Sequence, residues 1–104
     1  MADKKKLFVS KENYETCYRI LITSQVESVA EQRNLNDVLT VFEKAGQVVG
    51  EEVPGLPRMY SITEPTTMHL DAEQARTLKQ HVDKCISRFQ TWAVRGLPDL
   101  MDAL

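Results

Sequence analysis

Between residues 75 and 93 the apolar side chains Ala75, Leu78, Val82, Cys85, Phe89 and Trp92 recur at alternating spacings of three and four, with Ile86 and Ala93 beside them. Such spacing draws one apolar seam along an α-helix, in the heptad form of a coiled-coil contact. No other segment restricts the fold as strongly, because a helix with this seam must lay it against something. Asp71 supplies an N-cap, Gln74 three residues later completes a capping-box pattern, and Leu70 with Ala75 can form the hydrophobic staple. Gly96 and Pro98 follow in the order that ends a helix. The sequence predicts one long amphipathic helix that starts after Asp71 and runs to Gly96.

The segments before it are shorter and less regular. Residues 1–9 read as a flexible basic tail carrying Lys4, Lys5 and Lys6 and closing on the apolar Leu7-Phe8-Val9. Ser10 is placed as an N-cap, with Val9 and Tyr14 as a staple. The helix that follows gathers Tyr14, Cys17, Tyr18, Leu21 and Ile22 on one face, and Val26, Val29 and Ala30 extend it with a rotated stripe. A continuous helix is the preferred reading. A break near Thr23-Ser24 is the alternative, because Ile20-Leu21-Ile22-Thr23 is strand-like in composition. Asn34 and Asn36 interrupt the pattern, and Asn36 is expected to cap a second helix bearing Val38, Val41, Phe42, Ala45 and Val49, weakened by Gly46 and ended by Gly50.

Pro54-Gly55-Leu56-Pro57 is a strong turn signal. Residues 59–62 and 67–70 then read as the two arms of a β-hairpin around Thr63-Glu64-Pro65-Thr66, with Tyr60, Ile62, Met68 and Leu70 on its apolar face. After the long helix, Leu97, Leu100, Met101 and Leu104 form a short amphipathic helix with Asp99 and Asp102 on its polar side. The expected class is α+β, mainly α: two N-terminal helices, a β-hairpin, a long amphipathic helix and a short C-terminal helix. A chain of 104 residues has room for one core. The division expected is a tail at 1–9, a single compact domain at 10–96 and an appended amphipathic segment at 97–104.

Function is constrained mainly by what the motifs exclude. No apolar run is long enough to span a bilayer, and no apolar stretch follows the lysines, so neither a membrane anchor nor a secretory signal is expected and the location expected is cytoplasmic. Cys17 and Cys85 do not make a disulfide framework and read as reduced, buried thiols. They could join His69 and His81 in a four-ligand zinc set, but only His81 and Cys85 have a ligand-like spacing, so no metal and no cofactor is expected. Glu51-Glu52 is the one adjacent carboxylate pair, and it falls in a loop. With no nucleophile frame and no glycine-rich phosphate loop, the chain is read as a non-enzyme.

What the pattern favours is a protein-binding module: an adaptor, assembly factor or inhibitor of a larger partner that also self-associates, most simply as a dimer through its long helices or hairpin edges. Phe89, Trp92, Leu97, Leu100, Met101 and Leu104 are the expected contact residues, being large apolar groups near a terminus. Two other readings stand behind it. One is an oligomer that binds a small anionic ligand between subunits, with Tyr14, Tyr18, Tyr60, Phe89 and Trp92 lining the pocket and Arg19 or Arg58 fixing the charge. The other is a weak nucleic-acid binder that touches phosphates through Lys84, Arg88 and Arg95 on one helix stripe. It stands third, because three basic residues are a small footprint on a chain of net charge -2.

Overall fold

The chain's computed structural model describes residues 4–104. It is α+β and mainly helical. Strand β1 (Lys5–Val9) leads into helix α1 (Lys11–Thr23) and helix α2 (Val29–Ala45). Three strands follow, β2 (Gln47–Val49), β3 (Met59–Ser61) and β4 (Thr66–Leu70). Helix α3 (Ala72–Cys85) passes through a 3-10 turn, Ile86–Arg88, to the short helices α4 (Thr91–Val94) and α5 (Leu97–Asp102). Among the described residues no helix is long and apolar enough to cross a membrane.

The expected tail is the first point of difference. Residues 1–3 of it lie outside the described residues, and Lys5–Val9 is a strand paired antiparallel with β4 in the register Leu7↔Met68 and Val9↔Thr66. Leu7 and Val9 are fully buried, as are Met68 and Leu70 on the partner strand. The alternation of Leu7 and Val9 around Phe8 is a period-two signal, and burying both residues outweighs the ordering cost of a terminal segment.

Ser10 caps α1 by accepting from the Asn13 N–H at 3.2 Å. The break near Thr23-Ser24 is real. The Thr23 hydroxyl donates to Arg19 O at 2.6 Å and the Ser24 hydroxyl to Ile20 O at 2.7 Å, and the backbone turns extended at Ser24. Hydroxyls that occupy the last helical carbonyls compete with helix continuation. Helix α2 starts earlier than expected, at Val29, because Ser28 is its N-cap and accepts from the Glu31 N–H at 3.1 Å. Asn36 lies inside this helix and accepts from the Gln32 side chain instead of capping. Gly46 ends the helix, which places Val49 in β2 rather than on a helical face.

Strands form where the hairpin was expected, but they pair differently. β3 pairs antiparallel with β2, through Val48↔Tyr60, and β4 pairs with β1. The hairpin of this fold is therefore β2–β3, closed by residues 50–58. Pro65 turns the chain from one two-stranded sheet to the other. The β1–β4 pairing seals Leu7, Val9, Met68 and Leu70 in one apolar layer.

Asp71 and Gln74 form the full capping box: the Gln74 N–H donates to Asp71 Oδ1 at 2.7 Å and the Asp71 N–H to Gln74 Oε1 at 3.0 Å. The seam residues Ala75, Leu78, Val82 and Cys85 are all buried. The helix stops at Cys85, however, and not at Gly96. At 1.5 Å per residue a helix from 72 to 96 would run about 37 Å, close to the longest dimension of the whole molecule, 39 Å. Its far end would stand on nothing. Instead the chain bends back at Phe89, and α4 lies on α1, where the Thr16 hydroxyl donates to Ala93 O at 3.2 Å.

The segment 97–104 is likewise not an appendage. Leu97 is fully buried, and Leu100 and Met101 are buried with it in the same core as Leu7, Tyr14, Phe42 and Leu78. Four aromatic rings from three elements meet at one end of that core. Tyr14 lies 5.2 Å from Phe42 between ring centres, and Tyr60 stacks on Tyr18 at 5.4 Å. The buried Tyr14 hydroxyl donates to Phe42 O.

Candidate interaction surface

A fold that buries Leu97 and Phe42 completely still leaves a few large apolar side chains in water. Val48, Val49, Val53 and Leu56 are exposed, the last at 65%. All four belong to the β2–β3 hairpin or its loop. Gly50 and Gly55 carry the loop round with φ of 78° and 84°, a conformation that only glycine adopts cheaply. Pro54 and Pro57 keep the loop from becoming a strand. Arg58 and Glu52 form one exposed ion pair across it at 3.9 Å. The inner side of the hairpin is fixed: Tyr60 stacks on α1, and the Ser61 hydroxyl donates to Glu15 Oε1 at 2.6 Å. β2 is hydrogen-bonded to β3 in a sheet of two strands, so its other edge carries unpaired backbone groups.

The second exposed group is Trp92 on α4, at 81%. Of the six contact residues expected from sequence it is the one fully in water. Phe89 and Leu104 are half-buried, whereas Leu97, Leu100 and Met101 are core. Those three do not form a free binding surface, because α5 folds its apolar face inward against β1 instead of projecting it. The hairpin loop was missed as a surface because its proline and glycine residues read only as a turn. The signal present was Val53 and Leu56, two large apolar residues inside a turn where polar ones are usual.

The aromatic pocket and the basic stripe are not formed as expected. Tyr14 and Tyr18 are packed in the core with Phe42 and Tyr60, and Trp92 points to solvent elsewhere, so these rings line no shared pocket. Lys84, Arg88 and Arg95 share no helix face once α3 ends at Cys85. Lys84 donates to Glu31 Oε1 at 3.0 Å, Arg88 to Thr23 O at 3.3 Å, and Arg95 follows α4.

The four potential zinc ligands are not brought together, and among the described residues no three His, Cys, Asp or Glu side chains converge. Cys17 is buried on α1, and burial pushes its thiol up to about 12, far from a reactive thiolate. Cys85 is buried next to the Ser24 hydroxyl, 3.6 Å away. His69 is on the outer face of β4.

His81 is buried between helices, 2% exposed, with Nδ1 unpartnered and Nε2 3.9 Å from Glu31 Oε1. Removal from water lowers its pKa below 6.5; Glu31 opposes that shift and Lys84 adds to it. Glu31 itself is held below the usual carboxylate range by the Glu27 N–H and Lys84. A stability consequence follows for His81. The folded chain holds the imidazole neutral while the unfolded chain takes up a proton near pH 6.5. Stability is therefore complete above that pH and falls as pH drops below it toward the folded-state value. Urea midpoints measured from neutral pH to about pH 5 should decline, and His81→Gln should flatten that decline. An unchanged slope in the variant would assign it to another group.

Comparison of the chain with protein-family models, with curated proteins and with solved structures finds no match.

Proposed function

We propose that this chain is a small non-enzymatic protein-binding module that forms a dimer through its β2–β3 hairpin and engages a larger partner at Trp92, as an adaptor, assembly factor or inhibitor. The observation that carries this reading is the placement of the exposed apolar side chains. Val48, Val49, Val53 and Leu56 fall together on one hairpin and its loop, whereas Trp92, Phe8 and Val29 are each on another element. The seam of α3, the other candidate for self-association, is spent inside the chain's own core. An open strand edge suits a two-fold contact, since β2 laid antiparallel on a second β2 presents the same residues to itself. Tryptophan contributes on the order of 200 Å² to a contact and leads the residue types that dominate binding energy. A cytoplasmic location belongs to the same reading and agrees with two free, buried cysteines.

Sedimentation velocity across a micromolar concentration series tests the dimer. The wild-type chain should shift from monomer to dimer, and Val53→Asp/Leu56→Asp should remain monomeric with the melting temperature of the dilute, monomeric wild type, because both side chains are in water in the monomer. A wild-type chain that is monomeric throughout, or a double variant that dimerises as before, would overturn the hairpin contact.

A further inference from the structure

The β1–β4 sheet has a second face, different in chemistry from the hairpin. Side chains alternate across a strand. With Leu7, Val9, Met68 and Leu70 turned inward, Lys6, Phe8, Thr67 and His69 are turned outward, and all four are exposed. The register sets Lys6 opposite His69 and Phe8 opposite Thr67. Phe8 and His69 are thus diagonal neighbours across the strand pair, about 7–8 Å apart at Cα. Phe8 is 65% exposed. An open groove of about 440 Å³ lies at the edge of the same sheet, between β4 and α2, lined by Lys4, Thr67, Met68 and His69 and by Lys44 of α2, with Asp37 as its one carboxylate. The ion pairs among the described residues leave Lys4, Lys6 and Lys44 out.

We propose that this outer face of β1–β4, together with the groove at its α2 edge, binds single-stranded nucleic acid, with Phe8 and His69 as stacking platforms and Lys4, Lys6 and Lys44 on the phosphates. Charge complementarity sets the sign of the occupant: the groove sets Lys4 and Lys44 against Asp37 alone, and Lys6 adds a third positive charge on the adjoining face. The exposed ring sets its kind. A phenylalanine exposed on a paired strand, two residues from Lys6 on the same face, matches a chain that alternates phosphates with unpaired bases. A partner that offered only charge would leave Phe8 unused. The face is also distinct from the hairpin, whose exposed residues are aliphatic and whose loop carries Glu51 and Glu52. Lys84, Arg88 and Arg95, the residues that basic spacing alone suggests, take no part.

Fluorescence anisotropy of a short labelled single-stranded oligonucleotide with the full chain tests this, with heparin as a polyanion that has no bases. The wild type should bind with a log–log salt slope of about −2, as expected for three lysines on a single strand. Phe8→Ala should weaken oligonucleotide binding by about tenfold and leave heparin binding unchanged, and Phe8→Tyr should restore the affinity. Lys6→Glu should weaken both ligands. All variants alter exposed side chains, and thermal unfolding checks that they fold. No binding at low salt would overturn the proposal. So would a Phe8→Ala chain that binds the oligonucleotide as the wild type does, or loses heparin equally. Binding to acidic vesicles or an acidic peptide in preference to the oligonucleotide would assign the face to that partner and overturn it too.

Discussion

A Gly46→Ala chain should be less stable than the wild type by about 3 kcal/mol, which lowers the melting temperature by on the order of 15 °C for a domain of this size. The reason is steric. Gly46 has φ −117°, open to any residue, so a side chain there meets no backbone strain. A Cβ, however, would overlap the Tyr14 hydroxyl and lie 2.8 Å from both Tyr14 Cζ and the Ser61 carbonyl oxygen. Neither neighbour can move freely. Tyr14 is fully buried against Tyr18 and Phe42, with its hydroxyl bonded to Phe42 O, and Ser61 is tied to Glu15. Removing the hydroxyl relieves one of the overlaps, so the penalties of Tyr14→Phe and Gly46→Ala should sum to more than the penalty of the double variant. Gly50→Ala is the contrast. It has positive φ but nothing within 4 Å, so it should cost only about 1 kcal/mol of left-handed strain. If Gly46→Ala melts no lower than Gly50→Ala, the close approach of α2, β3 and Tyr14 is not as described.

The second large effect is at the C-terminus. Leu97→Ala should lower the free energy of unfolding by about 2–5 kcal/mol, and Leu100→Asp by more, since it buries a carboxylate with no partner. Leu97 is fully buried and Leu100 is 8% exposed. The half-buried Leu104 lies at the rim, and Leu104→Asp should be tolerated far better. Urea unfolding separates these outcomes. Were residues 97–104 an appended segment whose leucines served only a partner, Leu100→Asp would leave the urea midpoint where it was.

The local signals of this chain were easier to read than its long-range pairings. Asp71, Gln74 and Ser10 do in the structure what their spacing says, because a cap involves residues three apart and needs nothing from the rest of the fold. Ser28 and Glu31 are likewise three apart, with Ser28 accepting from the Glu31 N–H, whereas Asn36, the expected cap, is interior to α2. Strand positions near 59–62 and 67–70 were legible from alternation. Their partners were not, since Leu7 and Val9 pair with β4 across roughly sixty residues of chain and only the shared apolar layer selects that register. The seam from Ala75 to Cys85 is laid against the chain's own core, as its period requires of some partner surface, while Phe89 and Trp92 keep the same period outside α3. Periodicity reports a preference for a face, and the extent of the underlying core decides how far the helix goes.

The candidate surfaces follow the same division. Trp92 was picked out by size and position and lies in water. Leu97, Leu100 and Met101 meet the same rule and are core, because sequence does not tell an apolar face turned outward from one turned inward. Phe8 reads in the sequence only as part of an apolar close to the tail. Its exposure becomes visible once Leu7 and Val9 are seen to take the inner face of the strand.

Hydrogen exchange of the β2 backbone amides, followed as protein concentration rises, tests the central claim that the open edge of the hairpin is the surface through which this chain meets a second copy. If it is, the outward-facing amide or amides of Gln47–Val49 should gain protection with concentration while those in α3 stay constant. Rapid exchange at that edge at every concentration would contradict it.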